Sequence, residues 1–294
     1  MSSVRIRETV SESLFEALSS SHEVQQKVLE MLVSITKVSP QNRNLLAQTD
    51  GAIPALLTLS KSSSSIIQAL SLSSLFNISL NPELKRSLAD METIYHLNSI
   101  LSPSSPETSR LTSSLVCSLA MLDKNKAKFA VAGTIQLLIK ALSGPRSLAS
   151  HHLLSSLAEL VQFHGNCTVA IRSGVVPVLI NIVESANGED LAGTSLAVLC
   201  LLARFDEGLN AMRKTDHVVS LMVNVLKRRG MLSKEGAAEI LLRLFDESEG
   251  YMTDALMVPD FSTVLADLSV RGSAKAREKT ALLMEKVMEA NMDS

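Results

Sequence analysis

Tryptophan is absent from this 294-residue chain, and aromatic residues make up only 3% of it. Its core must therefore be built from Leu, Ile, Val, Ala and Met. Cysteine is scarce: Cys117, Cys167 and Cys200 are an odd number and form no CxxC pair. That usage excludes a disulfide framework and fits a reducing compartment. Charge of one sign is also missing. With 28 Lys and Arg against 30 Asp and Glu, the formal net charge of −2 gives no global pull toward nucleic acid or anionic lipid. No apolar run reaches about 18 residues, so no membrane span is expected. The opening residues Met1 to Arg7 lead into polar sequence rather than a signal-length apolar stretch. The chain reads as soluble and intracellular, cytoplasmic or nuclear. It also lacks G-x-S-x-G, Walker-type and dinucleotide-binding glycine patterns.

What is present is an apolar content of 46%, enough for a continuous core, and a phrase that returns about every 41 residues. Asp50-Gly51-Ala52-Ile53-Pro54 reappears as Ala132-Gly133-Thr134-Ile135 and as Ser173-Gly174-Val175-Val176-Pro177. Weaker copies fall at Met91-Glu92-Thr93-Ile94 and Asp216-His217-Val218-Val219. Self-similarity at a fixed period predicts stacked repeats. In one unit Asn42–Thr49 reads as a first helix, with Gly51 placed for a left-handed cap. Pro54 sits near the start of a second helix. Ile66–Ser79 reads as a third helix that is apolar around much of its circumference, as a helix buried on several sides should be. Leu75, Val116, Leu157 and Val198 mark the same place in successive third helices.

About seven units follow: 1–39, 40–80, 81–122, 123–164, 165–205, 206–245 and 246–294. The expected organisation is a single array over 1–294, with an irregular N-terminal cap repeat (1–39), regular repeats (40–245) and a C-terminal cap repeat (246–294). In the last helix, Ala274–Met288, the expected apolar side is Ala281, Leu282, Met284 and Met288, with charges facing water. Ser-, Gly- and Pro-rich loops at Lys61–Ser65, Ser102–Ser109, Ser143–Ser147, Ser185–Asp190 and Lys227–Ser233 should lie along one edge.

A three-helix unit carrying DGAIPALLTL (Asp50–Leu59) and ALSLSSLFNIS (Ala69–Ser79) resembles an armadillo repeat, and most of all the armadillo regions of plant U-box ubiquitin ligases and their U-box-less relatives. The resemblance implies an all-α fold, a right-handed α-solenoid whose third helices line a concave groove that takes an extended peptide or a partner protein. Armadillo proteins that read basic nuclear-import signals carry a Trp ladder four residues before an Asn ladder. Here the Asn position holds Asn77, Ser118, Glu159, Cys200 and Arg243, and the Trp position holds Ser73, Ser114, Ser155, Leu196 and Glu239. Only Asn77 matches, which argues against an import receptor.

Residues four apart share a helix face, so Ser73/Asn77, Ser114/Ser118 and Ser155/Glu159 should form a polar strip of small residues, Cys200 should continue it, and Glu239/Arg243 should end it with a charged pair. This strip is the candidate partner-binding groove. His151, His152, His164 and Cys167 have no metal-ligand spacing. Cys200 lies in apolar sequence without a base, the setting of an inert thiol. Ser102-Pro103 and Ser105-Pro106 offer proline-directed phosphorylation sites in a connector, and Lys227-Arg228-Arg229 suits a helix C-terminus.

The expected function is a non-catalytic protein-protein interaction scaffold, monomeric, with a protein or peptide partner, no nucleic acid and no cofactor or metal. It would serve substrate recognition in ubiquitination. The alternative is the armadillo portion of a U-box ligase whose U-box lies outside this chain.

Overall fold

The computed structural model describes residues 21–101, 105–185 and 188–293, and among them it has nineteen helices and no strand. The chain divides into two compact units, residues 1–166 and 167–294. The first unit holds α1 (His22–Val38), α2 (Pro40–Ala47), α3 (Ala52–Leu59), α4 (Ser65–Ser79), α5 (Pro82–Leu88), α6 (Met91–Ile100), α7 (Pro106–Ala120), α8 (Asp123–Val131), α9 (Thr134–Leu142) and α10 (Ser150–Leu160). The division falls inside α11 (His164–Arg172). The second unit continues with α12 (Val175–Ser185), α13 (Glu189–Leu202), α14 (Asp206–Arg213), α15 (Val218–Arg228), α16 (Met231–Glu247), α17 (Glu249–Met257), α18 (Phe261–Arg271) and α19 (Ala274–Asp293). After α1, the helices recur in threes.

Third helices pack side by side: α1 on α4, α4 on α7 and α7 on α10 in the first unit, α13 on α16 and α16 on α19 in the second. Second helices pack against the third helix of their own repeat. Each third helix is thus enclosed on several sides. That is why Leu75, Val116, Leu157 and Val198, which fixed the repeat register in the sequence, are at most 1% exposed.

The returning glycine makes the corner between first and second helices. Gly51, Gly133 and Gly174 have φ of 73°, 81° and 78°, a left-handed conformation that disfavours any residue with a Cβ by about 1–2 kcal/mol. Where the glycine is replaced, the chain uses other means. Asp90 stays extended, and its carboxylate accepts the Thr93 N–H at 2.7 Å to start α6. Asp260, just before α18, takes φ 65° itself. Aspartate is among the few residues that visit this region.

Several boundaries differ from the sequence reading. The helix expected at Asn42–Thr49 is α2, Pro40–Ala47, because Pro40 occupies its first turn and the Ser39 hydroxyl accepts the Asn42 N–H. The loops at 102–109 and 185–190 are shorter than read. Pro106 opens α7, and Glu189 and Asp190 sit in the first turn of α13, where carboxylates complement the helix dipole. In α19 the buried residues are Ala276, Thr280 and Leu283, whereas Ala281 is exposed and Leu282 and Met288 are 45% and 57% exposed. The expected apolar side is therefore corrected by about one residue, because the stripe that meets α16 runs at steps of four and three from Ala276.

Two asparagines 41 residues apart, which the sequence reading passed over, fasten successive repeats of the first unit. Asn125 donates through Nδ2 to Lys85 O and Leu119 O, both at 3.0 Å. Asn166 donates in the same way to Lys126 O at 3.1 Å and Leu160 O at 2.9 Å. Each joins a first helix to the preceding first helix and to the end of the preceding third helix.

Candidate functional site

Within each unit the third helices pack in a row, and the residues of the candidate strip lie on them. Its members fall into two classes. On α4, Ser73 is half-buried, but Asn77 is buried and its amide donates to Thr36 Oγ1 at 3.1 Å and Val33 O at 3.3 Å on α1. On α7, Ser114 is half-buried; its hydroxyl donates to Arg110 O at 2.8 Å and lies 3.0 Å from His152 Nδ1 on α10. Ser118 is buried and accepts from the Ser79 hydroxyl at 2.8 Å, while its carbonyl takes the Lys85 ammonium at 2.7 Å.

On α10, Ser155 is exposed and Glu159 is half-buried in an ion pair with Lys126 at 2.9 Å. Lys126 is itself only 5% exposed. Asn77 and Ser118 thus serve as joints between third helices, whereas Ser73, Ser114 and Ser155 reach solvent. One residue earlier in the chain, Phe76 and Cys117 are half-exposed. Adjacent helical residues point about 100° apart, so the accessible ridge passes through 76 and 117 and the joints through 77 and 118.

In the second unit, Cys200 on α13 donates from Sγ to Gly236 O at 3.3 Å. A Cβ on Gly236 would lie 2.9 Å from Leu196 Cβ, so this glycine lets α16 approach α13 closely. Burial pushes the Cys200 thiol up to about 12, which keeps it protonated. Glu239 and Arg243 form the expected pair at 2.9 Å, and Lys279 on α19 joins it at 3.0 Å. Glu239 is held below the usual carboxylate value: burial opposes ionisation, but the bonds and charges of Lys279 and Arg243 outweigh it.

No group of three His, Cys, Asp or Glu side chains suited to a metal occurs among the described residues. His152 pairs with Ser114, and His151 is exposed. A cavity of about 280 Å³ in the first unit is lined by Pro106, Ser109, Ala141, Gly144, Pro145 and Leu153 among others. The basic turn is drawn into packing: Lys227 reaches Pro259 O and Asp260, and Arg229 donates to Val183 O at 3.1 Å. Ser102 lies outside the described residues; Ser105 precedes α7 and bonds Thr108 Oγ1 at 2.7 Å. No single described helix is long and apolar enough to cross a membrane.

A family model for the plant U-box protein ARM repeat region matches residues 10–294. The chain belongs to the armadillo-repeat family of plant U-box proteins. This plant U-box armadillo region is similar to U-box domain-containing protein 8 of Arabidopsis thaliana, at 26% identity over 277 residues, 94% of this chain and 72% of that protein. It is also similar to U-box domain-containing protein 1 of Medicago truncatula, at 30% identity over 118 residues, 39% of this chain but 16% of that protein.

Solved armadillo structures share its fold. An engineered protein superposes with a TM-score of 0.79 at 18% identity, over 95% of this chain and 68% of its own. A computationally designed armadillo repeat protein for modular peptide recognition gives 0.70 at 16% identity, over 80% and 99%. A designed armadillo repeat protein in complex with the peptide (KR)4 gives 0.64 at 14% identity, over 94% and 98%. The all-α armadillo fold read from the repeated phrase is thereby established.

Proposed function

We propose that this plant U-box armadillo region is a non-catalytic scaffold that binds a partner protein or an extended peptide on the open face of its third helices. One observation supports the reading above others: the third helices stand side by side and keep a row of side chains accessible at the repeat step, from Ser73 to Ser114 to Ser155. A chain in extended conformation advances about 3.3 Å per residue, so a short segment can cross several such helices and hydrogen-bond to their hydroxyls.

By kinship with U-box proteins, the partner would be a substrate selected for ubiquitination, and the setting would be the cytoplasm or nucleus. A U-box elsewhere in the same polypeptide would make this region the recognition part of a ligase, as the second reading has it. The test pairs proximity labelling in plant cells with purified variants. Ser73→Arg, Ser114→Arg and Ser155→Arg, placed together, should abolish capture of the labelled partners. Capture that survives this triple change in a folded protein sinks the proposal.

A further inference from the structure

Ser73 sits within an apolar stripe. Along α4, Ile66, Leu70, Phe76 and Leu80 flank it; Ile66 is 52% and Leu80 43% exposed, and the other two are half-buried. Cys117 and Met121 continue the stripe at the end of α7, where Met121 is 63% exposed. On α1, Val24, Val28, Met31 and Val38 stand 42 residues before Ile66, Leu70, Ser73 and Leu80, and all four are accessible. Because α1 packs on α4 and α4 on α7, α1 and α4 present aliphatic side chains in matching register, and α7 adds Cys117 and Met121 while Glu107 and Ser114 stand at the steps of Ile66 and Ser73. An accessible apolar face of this extent marks an interaction surface.

The charges point to the chemistry of its occupant. The carboxylate on the α7 stripe, Glu107, is held by the Arg110 guanidinium in a two-pronged pair at 2.6 and 3.0 Å. Beside the α1 stripe, Glu23 pairs with Lys27 at 2.8 Å, and Glu30 accepts from Gln26 at 2.8 Å. Further on, Glu159 is taken by Lys126. Glu30 keeps its charge, since Gln26 is neutral, but a Lys- or Arg-rich ligand would have to compete with Lys27, Arg110 and Lys126 for the other three carboxylates, and the face supplies it no ladder of aromatic rings.

We infer that α1, α4 and α7 bind an extended peptide carrying uncharged aliphatic or aromatic side chains, and not a basic one. This rests on the scaffold reading and names the ligand class for it. Burying one side chain on such a face is worth about tenfold or more in affinity.

The experiment is a selection of random displayed peptides on the full chain, with the synthetic peptide (KR)4 as comparator. The selected peptides should be enriched in Leu, Ile, Val, Phe and Met, bind at least about tenfold more tightly than (KR)4, and lose at least about tenfold in affinity to Ile66→Glu and to Met121→Glu. Both positions are more than half exposed, so these variants should fold, and matching melting curves check that they do. Selection of Lys- and Arg-rich peptides overturns the inference and leaves the scaffold reading standing. Selected peptides that ignore Ile66→Glu, Met121→Glu and the triple serine variant alike sink both. Two outcomes assign the face to another occupant and overturn the inference. One is a dimer in sedimentation that Met121→Glu dissociates. The other is tighter peptide binding by full-length Phe15→Glu, which would mean that the chain's own first twenty residues cover the face.

Discussion

Replacing Asn77 by alanine distinguishes a structural amide from a binding one. The side chain is 8% exposed and donates to Thr36 Oγ1 at 3.1 Å and Val33 O at 3.3 Å. A hydrogen bond of this kind contributes about 0.5–1.5 kcal/mol net, and the longer contact lies at the weak end of the usual distance range. Truncation leaves no partner stranded, because the Thr36 hydroxyl keeps its own bond to Leu32 O at 2.6 Å. The expected loss is therefore about 1–2 kcal/mol, or a few degrees in melting temperature. Stacked repeats interact mainly with their neighbours, so amide exchange should quicken in residues 22–38 while α9 and α10 keep their protection. Hydrogen exchange read by mass spectrometry, together with thermal melts and partner binding well below the melting range, provides the assay. Unchanged protection of α1 combined with abolished partner binding would refute the reasoning. Asn77 would then meet the partner, and the accessible ridge would not run through Phe76.

Gly174→Ala should cost about 1 kcal/mol, from φ of 78° alone, since no atom lies within 4 Å of the added Cβ; urea midpoints check this, and a neutral result would remove the left-handed argument. Gly208→Ala should be far worse, because its Cβ would stand 2.1 Å from Leu202 O, beyond what about 1–3 kcal/mol of ordinary overpacking describes. His96 and His152 are both held below the usual imidazole value, first by burial and then by nearby positive groups, Lys61 for one and Arg110 with His151 for the other. The unfolded chain therefore takes up protons that the folded chain refuses, and stability should fall as pH drops below about 6.5. The double change His96→Gln and His152→Gln should flatten the fall in melting temperature between pH 7.5 and 5.5, and an unaltered slope would contradict it. With its thiol pushed up to about 12, Cys200 should resist iodoacetamide at pH 8 in the folded protein and react once the chain is unfolded in urea. Rapid native alkylation, read by peptide mass, would overturn that assignment.

The fold was legible in the chain because its signals are local. A left-handed glycine followed two residues on by Ile or Val and, twice, then by Pro needs only its own dihedral angles to mark a helix corner. An apolar residue such as Leu75 repeated at Val116 and Leu157 needs only the repeat step to mark a core. The two asparagines at 125 and 166 were equally visible at that step, but their purpose was not, since the carbonyls they meet lie on other helices. Asp260 gave no glycine signal, and its place at a corner emerges only from its φ of 65°.

The candidate face was legible only as far as its helices. Sequence alone placed Ser73, Asn77, Ser114 and Ser118 on third helices and showed that no tryptophan ladder lines them. Which of them reach solvent was decided by tertiary packing. A helix apolar around most of its circumference carries no periodic mark of its open side, and a step of one residue turns a side chain by about 100°. The approach of α1 to α4 turned Asn77 into a joint and left Phe76 accessible, and the pairing of Glu159 with Lys126 and of Glu239 with Lys279 depends on where neighbouring helices stand. Local dihedral preference and burial pattern are written along the chain; the direction of each side chain relative to its neighbours exists only once the helices are packed.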